Sequence, residues 1–142
     1  MIKPYKISVP KSTLNNIYKK VRSYPWKMMQ NVNGWEYGTN YNYLKKISKY
    51  WVSKYNWKKF ENKINSFKNY KTNVDGINLH FIIEKSKNPK SRPLLLLHGW
   101  PGSVIEFFGI IPRLAHPEQF GGKIEDGFDV IVPSLPGFGF ST

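Results

Sequence analysis

The protein has 142 residues, of which 40% are hydrophobic and 16% aromatic, a composition that suits a domain with an apolar core and excludes a disordered chain. It contains no cysteine, which excludes disulfides, thiolate zinc sites and cysteine nucleophiles. The longest aliphatic run, Leu94 to Leu97, is far shorter than the roughly 20 residues of a spanning helix, and early lysines interrupt any signal-peptide pattern.

The net charge of +13 is confined to the first half of the sequence. Residues 1–75 carry sixteen lysine and arginine residues against three acidic residues, whereas residues 76–142 carry six of each sign. All nine tyrosines and four of the five tryptophans also lie in the first half. We therefore predict two domains, a helical module over residues 1–69 and an α/β segment over residues 70–142.

Helical periodicity dominates the first module. Pro10 predicts the entry to a helix, which Pro25 ends. The apolar face of this helix is formed by Leu14, Ile17, Tyr18 and Val21. A polar loop is predicted over residues 30–40, followed by two helices, or one kinked helix, over residues 41–66 with a break near Asn56.

Lysines interleave with the aromatic residues of this module, a combination that also occurs on nucleic-acid-binding surfaces. The aromatic residues fall at the spacing of a helical core, however, and the sequence has no RNA- or DNA-binding motif. We therefore predict a buried aromatic stripe with a solvated lysine face, and no nucleic-acid partner.

The second segment begins with strands. Asp75-Gly76 lies between two β-rich runs, residues 70–74 and 77–83, and predicts a β-hairpin because a type I′ turn needs positive φ. The four leucines from Leu94 to Leu97 predict a strand buried on both faces. Phe128 to Val132 predicts a further buried strand, which in a truncated, non-catalytic product would be left at the edge of the sheet.

A helix is predicted between these last two strands. Ser103 is a suitable N-cap, and Glu106 completes a capping box with it. Pro112 predicts that this helix ends or kinks near residues 110–111. Outside the helix, His80 is interpreted as a structural histidine without an evident partner, and His116 as a surface residue.

Two motifs carry a family resemblance. The stretches His98-Gly-Trp-Pro-Gly-Ser103 and Pro133-Ser-Leu-Pro-Gly-Phe-Gly-Phe-Ser141, each following a strand, resemble the start of an α/β-hydrolase of the epoxide hydrolase branch. Upstream, the helical segment with its tryptophan pairs resembles the N-terminal module of microsomal-type epoxide hydrolases, including the juvenile hormone epoxide hydrolases. The matching upstream residues are Gly34-Trp35, Tyr43-Leu44, Tyr50-Trp51, Tyr55-Asn-Trp57 and Asn65-Ser-Phe67.

The fold class expected from this resemblance is α/β. A helical N-terminal module over residues 1–69 would be followed by the truncated start of an α/β-hydrolase fold over residues 70–142, consisting of a β-hairpin, a strand, a helix and a strand. The stretch from Gly137 to Ser141 is interpreted as the turn after the last strand, because it completes neither a Gly-x-Ser-x-Gly nucleophile elbow nor a dinucleotide fingerprint.

The resemblance implies an activity that converts small apolar epoxides, xenobiotic or juvenile-hormone-like, to diols. An aspartate would form an alkyl-enzyme ester, two lid tyrosines would protonate the departing oxygen, and a histidine paired with a carboxylate would activate water. It implies no cofactor and no metal ion. No Gly-Gly-Asp-Trp-like nucleophile segment occurs in the sequence, so we expect this chain alone to be inactive.

The resemblance also assigns the site residues. The backbone N–H of Trp100 would supply one half of the oxyanion hole, and the amide after the absent nucleophile would supply the other. His98, Gly99, Pro101 and Gly102 form the motif's scaffold, with a cis Trp100–Pro101 bond implied and glycines that permit a tight, positive-φ path. His98 is expected to act as a scaffold hydrogen bonder, not as the general base.

By family, the whole protein would lie at the endoplasmic reticulum or microsomal membrane, with lysines facing anionic lipid. Because the sequence shows no anchor helix, the cytosol stays open as an alternative. Two other interpretations also stay open. One is a haloalkane dehalogenase-like α/β-hydrolase fragment, although those enzymes lack this N-terminal module, and the lid tyrosines that would discriminate are not in this sequence. The other is a non-catalytic truncated product or basic interaction module.

Overall fold

The computed structural model describes residues 1–30 and 34–142. Its backbone divides into two compact units, a sheet unit made of Met1–Ile7 and Glu61–Thr142 and a helical unit made of Ser8–Phe60. Residues 31–33, within the predicted polar loop, lie outside the described residues. The domain boundary predicted between residues 69 and 70 stays a prediction.

The helical unit contains the helices α1 (Lys11–Arg22) and α2 (Tyr41–Ser53) and the first half of α3 (Trp57–Ile64). Pro10 is the N-cap of α1, and α1 ends before Pro25, as predicted. The side chain of Asn40 caps α2 by accepting a hydrogen bond from the Tyr43 N–H at 3.0 Å. The predicted break near Asn56 is confirmed, because it separates α2 from α3.

The aromatic stripe of the helical unit is not buried, so the prediction of an aromatic core is wrong. Neither α1 nor α2 contributes a fully buried residue, and Trp51 is 42% exposed. The apolar side chains line an open groove of about 410 Å³ instead, formed by Leu14, Ile17, Tyr18, Ile47, Tyr50, Trp51, Tyr55 and Trp57. A stripe is buried only when a further layer packs on it, and the described residues of the helical unit place no such layer over this groove.

The sheet unit is built on five strands in the order β1-β2-β3-β5-β4. Their bounds are β1 Lys3–Pro4, β2 Asn69–Val74, β3 Ile77–Glu84, β4 Pro93–Leu95 and β5 Asp129–Pro133. All neighbours are antiparallel except β4 and β5, which are parallel. The predicted hairpin is confirmed, since Asp75 (φ 49°) and Gly76 (φ 86°) form the turn between β2 and β3.

The structure corrects the predictions for the last two strands. β5 lies inside the sheet, between β3 and β4, and β4 is the edge strand. The Leu94 to Leu97 run is not buried on both faces, since Leu95 is 56% and Leu97 57% exposed. Within the described residues, β4 has a neighbour on one side only, and its leucines are covered correspondingly little.

The interruption predicted near residues 110–111 of the helical segment between these strands is confirmed, but the part before it is not an α-helix. Residues Val104–Phe107 form a 3₁₀ helix, and a separate helix, α4, runs from Ile111 to Ala115. Pro112 lies in the first turn of α4, where the missing N–H has no intrahelical partner to lose. The proline therefore starts a helix instead of ending one.

The core of the sheet unit lies between the sheet and α4. Ile82 of β3, Val130 and Val132 of β5 and Ile111 of α4 are fully buried. Ile7 is buried as well, and its backbone forms two hydrogen bonds with the Asn65 side chain, at 2.9 and 2.7 Å. The chain therefore leaves the sheet unit and returns to it at neighbouring points.

His116 is not the surface residue that the sequence suggested. Its side chain is largely buried, and Nε2 lies 3.0 Å from a carboxylate oxygen of Glu84 at the end of β3. Its Nδ1 lies 4.0 Å from Glu118, which in turn pairs with Lys87 at 3.2 Å. The loop is thus attached to the sheet through a histidine–carboxylate contact.

His80 has the structural role predicted, and it has the partners that the sequence did not reveal. The side chain is fully buried, with Nε2 3.0 Å from Asn69 Oδ1 and Nδ1 2.8 Å from Ser134 Oγ. The Asn69 amide nitrogen donates to two backbone carbonyls, so its Oδ1 accepts from His80 and the ring carries its proton on Nε2. Nδ1 then accepts from the Ser134 hydroxyl.

This burial predicts a pH-dependent stability. Desolvation, with a smaller effect of the Lys71 charge, lowers the pKa of His80 from 6.5 to about 4. Between these pH values the unfolded chain binds a proton at His80 that the folded chain does not. The contribution of neutral His80 to the free energy of unfolding is therefore fully present above pH 6.5 and is lost as the pH falls towards 4. At about 1.4 kcal/mol per tenfold difference in proton affinity, the free energy of unfolding should drop by about 3 kcal/mol across this range.

Urea denaturation between pH 7 and pH 4 measures this drop. The variant His80→Gln, which cannot be protonated, should be less stable at pH 7 and should lack this part of the pH dependence. If the free energy of unfolding fell equally steeply with pH in the wild type and in His80→Gln, the assignment of this pH dependence to His80 would be contradicted.

Candidate functional site

The chain makes a tight turn shortly after β4, at Gly99–Gly102. The Gly102 N–H donates to the Gly99 carbonyl at 2.7 Å, and the Trp100–Pro101 peptide bond is cis, as expected. A β-turn with a cis proline at its third position is a type VI turn. Neither glycine has positive φ, so this part of the expectation is wrong.

Trp100 occupies the second position of this turn, and its amide is available. In residues 1–30 and 34–142, no acceptor lies within hydrogen-bond distance of the Trp100 N–H. The indole is 84% exposed and therefore does not cover the turn. A rigidly held amide without an internal partner is the kind of donor that stabilises a developing oxyanion.

His98 supports this turn from below. The ring is buried and meets Phe138 edge-on, with the ring centroids 5.2 Å apart. Its Nε2 accepts a hydrogen bond from the Leu135 N–H at 3.1 Å, so the ring proton sits on Nδ1, which lies 3.3 Å from the Gly99 carbonyl oxygen. Because the lone pair of Nε2 is already used, this geometry suits a scaffold role and not a general base.

The residues after the turn begin the 3₁₀ helix that follows it. The Ser103 hydroxyl accepts from the Ile105 N–H at 3.4 Å, which makes Ser103 the N-cap of the 3₁₀ helix. The Glu106 carboxylate lies against Gly102, where a β-carbon would overlap it. This carboxylate is the far end of a flexible side chain and can move aside, so neither packing nor backbone conformation requires glycine at position 102.

The structure brings the five predicted site residues, His98 to Gly102, together in one turn, and it adds two that the sequence reasoning missed. Leu135 supplies the N–H that binds His98, and the preceding Ser134 is bound to His80. The signal for them was a serine placed directly after a buried strand. No group of three or more metal-ligating side chains occurs among the described residues.

The groove of the helical unit is a poorer candidate for chemistry. Its lining is apolar apart from tyrosine hydroxyls and the indole nitrogens. Burial, followed by the neighbouring Tyr18 and Tyr50, raises the pKa of Tyr55. The phenol therefore stays neutral and cannot serve as a base at ordinary pH.

The hydrogen bond to His98 can be tested by substitution. His98→Phe keeps a ring against Phe138 but removes the acceptor of the Leu135 N–H, which should lower the free energy of unfolding by about 1–3 kcal/mol. His98→Gln offers a carbonyl oxygen near the position of Nε2 and should be less destabilising than the phenylalanine. Urea denaturation of both variants measures this order, and the reverse order would contradict the assigned bond.

The sequence is similar to those of known epoxide hydrolases. A protein named as an epoxide hydrolase from Stigmatella aurantiaca (strain DW4/3-1) is 45% identical over 140 residues, which is 99% of this chain and 32% of the relative. Epoxide hydrolase 1 of Oryctolagus cuniculus is 38% identical over 99% of this chain and 32% of its own length. The chain thus spans about a third of the length of the curated relatives it matches.

Solved structures and family models give the same result. The crystal structure of juvenile hormone epoxide hydrolase from the silkworm Bombyx mori superposes with a TM-score of 0.84 at 34% identity, covering 99% of this chain and 34% of that one. An α/β-hydrolase fold model matches residues 92–142. The model of the epoxide hydrolase N terminus matches residues 2–107, three quarters of the sequence, so the chain belongs to the epoxide hydrolase N-terminus family.

Proposed function

We propose that this chain provides the N-terminal third of an epoxide hydrolase and that the Trp100 N–H is one of the two oxyanion donors. The observation that carries the proposal is a Trp100 amide, without an acceptor in the described part of the chain, in a hydrogen-bonded turn after β4 of a chain of this family. This geometry supports the proposed catalytic role of Trp100, with His98, Gly99, Pro101 and Gly102 as its scaffold.

The proposed reaction converts an epoxide to a diol in two steps. A carboxylate attacks an epoxide carbon, the C–O bond breaks, and the oxygen takes a proton, leaving a hydroxyalkyl ester. Water then adds to the ester carbonyl, and collapse of the tetrahedral intermediate releases the diol and regenerates the carboxylate. The Trp100 N–H would bind the oxygen of this intermediate, where its charge develops.

This chain alone should not catalyse the reaction. Its sequence has no nucleophile segment, and its matches cover only about a third of the relatives. The free side of β4 supports the same view, because an unpaired strand edge readily accepts another strand. We propose that the remaining two thirds of the relatives' length corresponds to the part that carries the nucleophile, the lid and the base.

The substrate class proposed is a small apolar epoxide, xenobiotic or juvenile-hormone-like. Support comes from the named activity of the silkworm protein and from the exposed indole beside the candidate donor. An apolar ring at that point would favour an apolar substrate over a charged one.

A chimera tests the oxyanion assignment. The 142 residues replace the matching third of the Stigmatella aurantiaca protein, and diol formation from styrene oxide is measured. Trp100→Pro removes the N–H and should lower kcat by about 10²–10³-fold, as for other oxyanion donors. Trp100→Ala keeps the N–H and should retain most of the activity.

The unmodified 142-residue chain is the second control and should form no diol. Equal losses in the proline and alanine variants would contradict a role for the amide. Diol formation by the chain alone would contradict the proposed division of the active site.

We also propose that an anionic membrane surface is a partner, consistent with a microsomal location of the whole protein. The helical unit carries eleven basic residues and one acidic residue, and aromatic side chains such as Trp51 are exposed on it. Clustered lysines near anionic lipid contribute about 1 kcal/mol each. No helix in the described ranges has the length and apolarity to span a bilayer, so this contact would be peripheral.

Vesicle sedimentation tests this contact. The chain should bind phosphatidylcholine vesicles that contain phosphatidylserine and dissociate from them at high salt. It should not bind vesicles of phosphatidylcholine alone. The pair Lys45→Gln and Lys49→Gln should weaken binding by about 2 kcal/mol. The matched pair Lys90→Gln and Lys123→Gln, in the sheet unit, should not, and equal weakening would show that only total charge matters.

A further inference from the structure

We propose that Ser141 is a positioning residue for the Trp100 amide, acting through one peptide group and His98. The proposal rests on the proposed function, since the Trp100 N–H has a catalytic role only there. A continuous series of hydrogen bonds within the sheet unit runs from β3 to the turn at Gly99–Gly102.

The first link is the Ser141 hydroxyl. Ser141 is buried, its Oγ accepts from the His80 N–H at 2.9 Å, and it donates to the Ser134 carbonyl at 2.7 Å. The hydroxyl oxygen therefore accepts from the His80 N–H, while its proton points at the Ser134 carbonyl oxygen. The hydroxyl fixes the orientation of the peptide group between Ser134 and Leu135 through its oxygen.

The second link is the other end of that peptide group. A peptide group is planar, so fixing its carbonyl also fixes its N–H. The N–H, which belongs to Leu135, donates to His98 Nε2 at 3.1 Å. Since a peptide that accepts at its oxygen is a stronger donor at its nitrogen, the Ser141 bond strengthens the bond to His98.

The third link reaches the candidate donor. The Gly99 carbonyl faces His98 Nδ1 at 3.3 Å and accepts from the Gly102 N–H at 2.7 Å. That carbonyl and the Trp100 N–H belong to the same peptide group. Holding the oxygen on one side of the plane therefore directs the N–H to the opposite side, away from the protein's own acceptors.

The glycines before Ser141 explain how the hydroxyl reaches this place. Gly137 and Gly139 both have positive φ, which turns the chain back under Ser134. A β-carbon on Gly139 would lie 2.8 Å from the Ser134 hydroxyl oxygen. The Gly-Phe-Gly-Phe-Ser stretch is thus a device for placing Ser141, not a phosphate loop.

Nuclear magnetic resonance of the ¹⁵N-labelled 142-residue chain tests the proposal. The wild type should show His98 protonated on Nδ1 and a scalar coupling across the hydrogen bond between the Leu135 nitrogen and His98 Nε2. In Ser141→Ala, the His98 ring nitrogens and the Trp100 amide should shift. Exchange of the Leu135 amide should become about tenfold faster relative to the hairpin amides of β2 and β3.

Ser134→Ala is the matched control. It also deletes a buried hydroxyl, the partner of His80 Nδ1, but it leaves both bonds of the Ser134–Leu135 peptide group intact. This variant should lose stability while the His98 and Trp100 signals stay at their wild-type positions. A purely structural role for Ser141 would make the two variants alike.

Three results would overturn the proposal. They are a proton on His98 Nε2 in the wild type, unchanged His98 and Trp100 signals in Ser141→Ala, and equal shifts in Ser134→Ala. If Ser141→Ala does not fold, the proposal is tested in the wild type, by the position of the His98 ring proton and by the coupling between the Leu135 nitrogen and His98 Nε2. An inactive chimera would remove the proposed function and leave these bonds in place, so the two failures are distinguishable.

Discussion

Two buried histidine rings, His80 and His98, hold the segment that follows β5, and the site depends on their hydrogen bonds. His80 donates through Nε2 and accepts through Nδ1, whereas His98 carries its proton on Nδ1 and accepts through Nε2. Each ring therefore accepts a hydrogen bond through one nitrogen and faces an acceptor oxygen with the other. Because β3, the turn after β4 and the segment after β5 meet at these rings, these contacts hold together three parts of the chain that are distant in sequence.

Each unit leaves apolar surface uncovered. In the sheet unit the uncovered surface is the free side of β4 with its leucines, and in the helical unit it is the groove between α1, α2 and α3. Monomeric proteins seldom expose contiguous apolar patches of this kind without a partner for them. Both surfaces agree with a chain that matches only about a third of its relatives' length.

Local signals predicted local structure well. Pro10, Asn56 and the Asp75-Gly76 pair each act on the backbone of their own neighbourhood, and each placed an element boundary correctly. Burial was predicted less well, because periodicity shows which residues share a face but not whether anything covers that face. The predictions that the aromatic stripe of the helical unit and the leucines of β4 are buried were wrong for this reason.

The site was predictable in part for the same reason. His98 to Gly102 are contiguous in sequence, so a motif identified them together. The partners of His98 and His80 come from residues 37 and 54 positions away, and a single sequence offers no signal for such pairings. Pro112 shows a further limit, since proline is equally at home beyond the end of one helix and in the first turn of the next.

The paired hydrogen bonds between Ile7 and Asn65 give the helical unit the topology of an inserted loop. The two ends of this segment are held next to each other by the bonds between Ile7 and Asn65, which both belong to the sheet unit. The loop is therefore closed by contacts that do not involve the residues within it. The entropy of closing a flexible loop grows only logarithmically with its length, at about 0.6 kcal/mol for each doubling. A change in the length of the segment between residues 8 and 60 would therefore cost the sheet little, as long as the bonds between Ile7 and Asn65 hold its two ends.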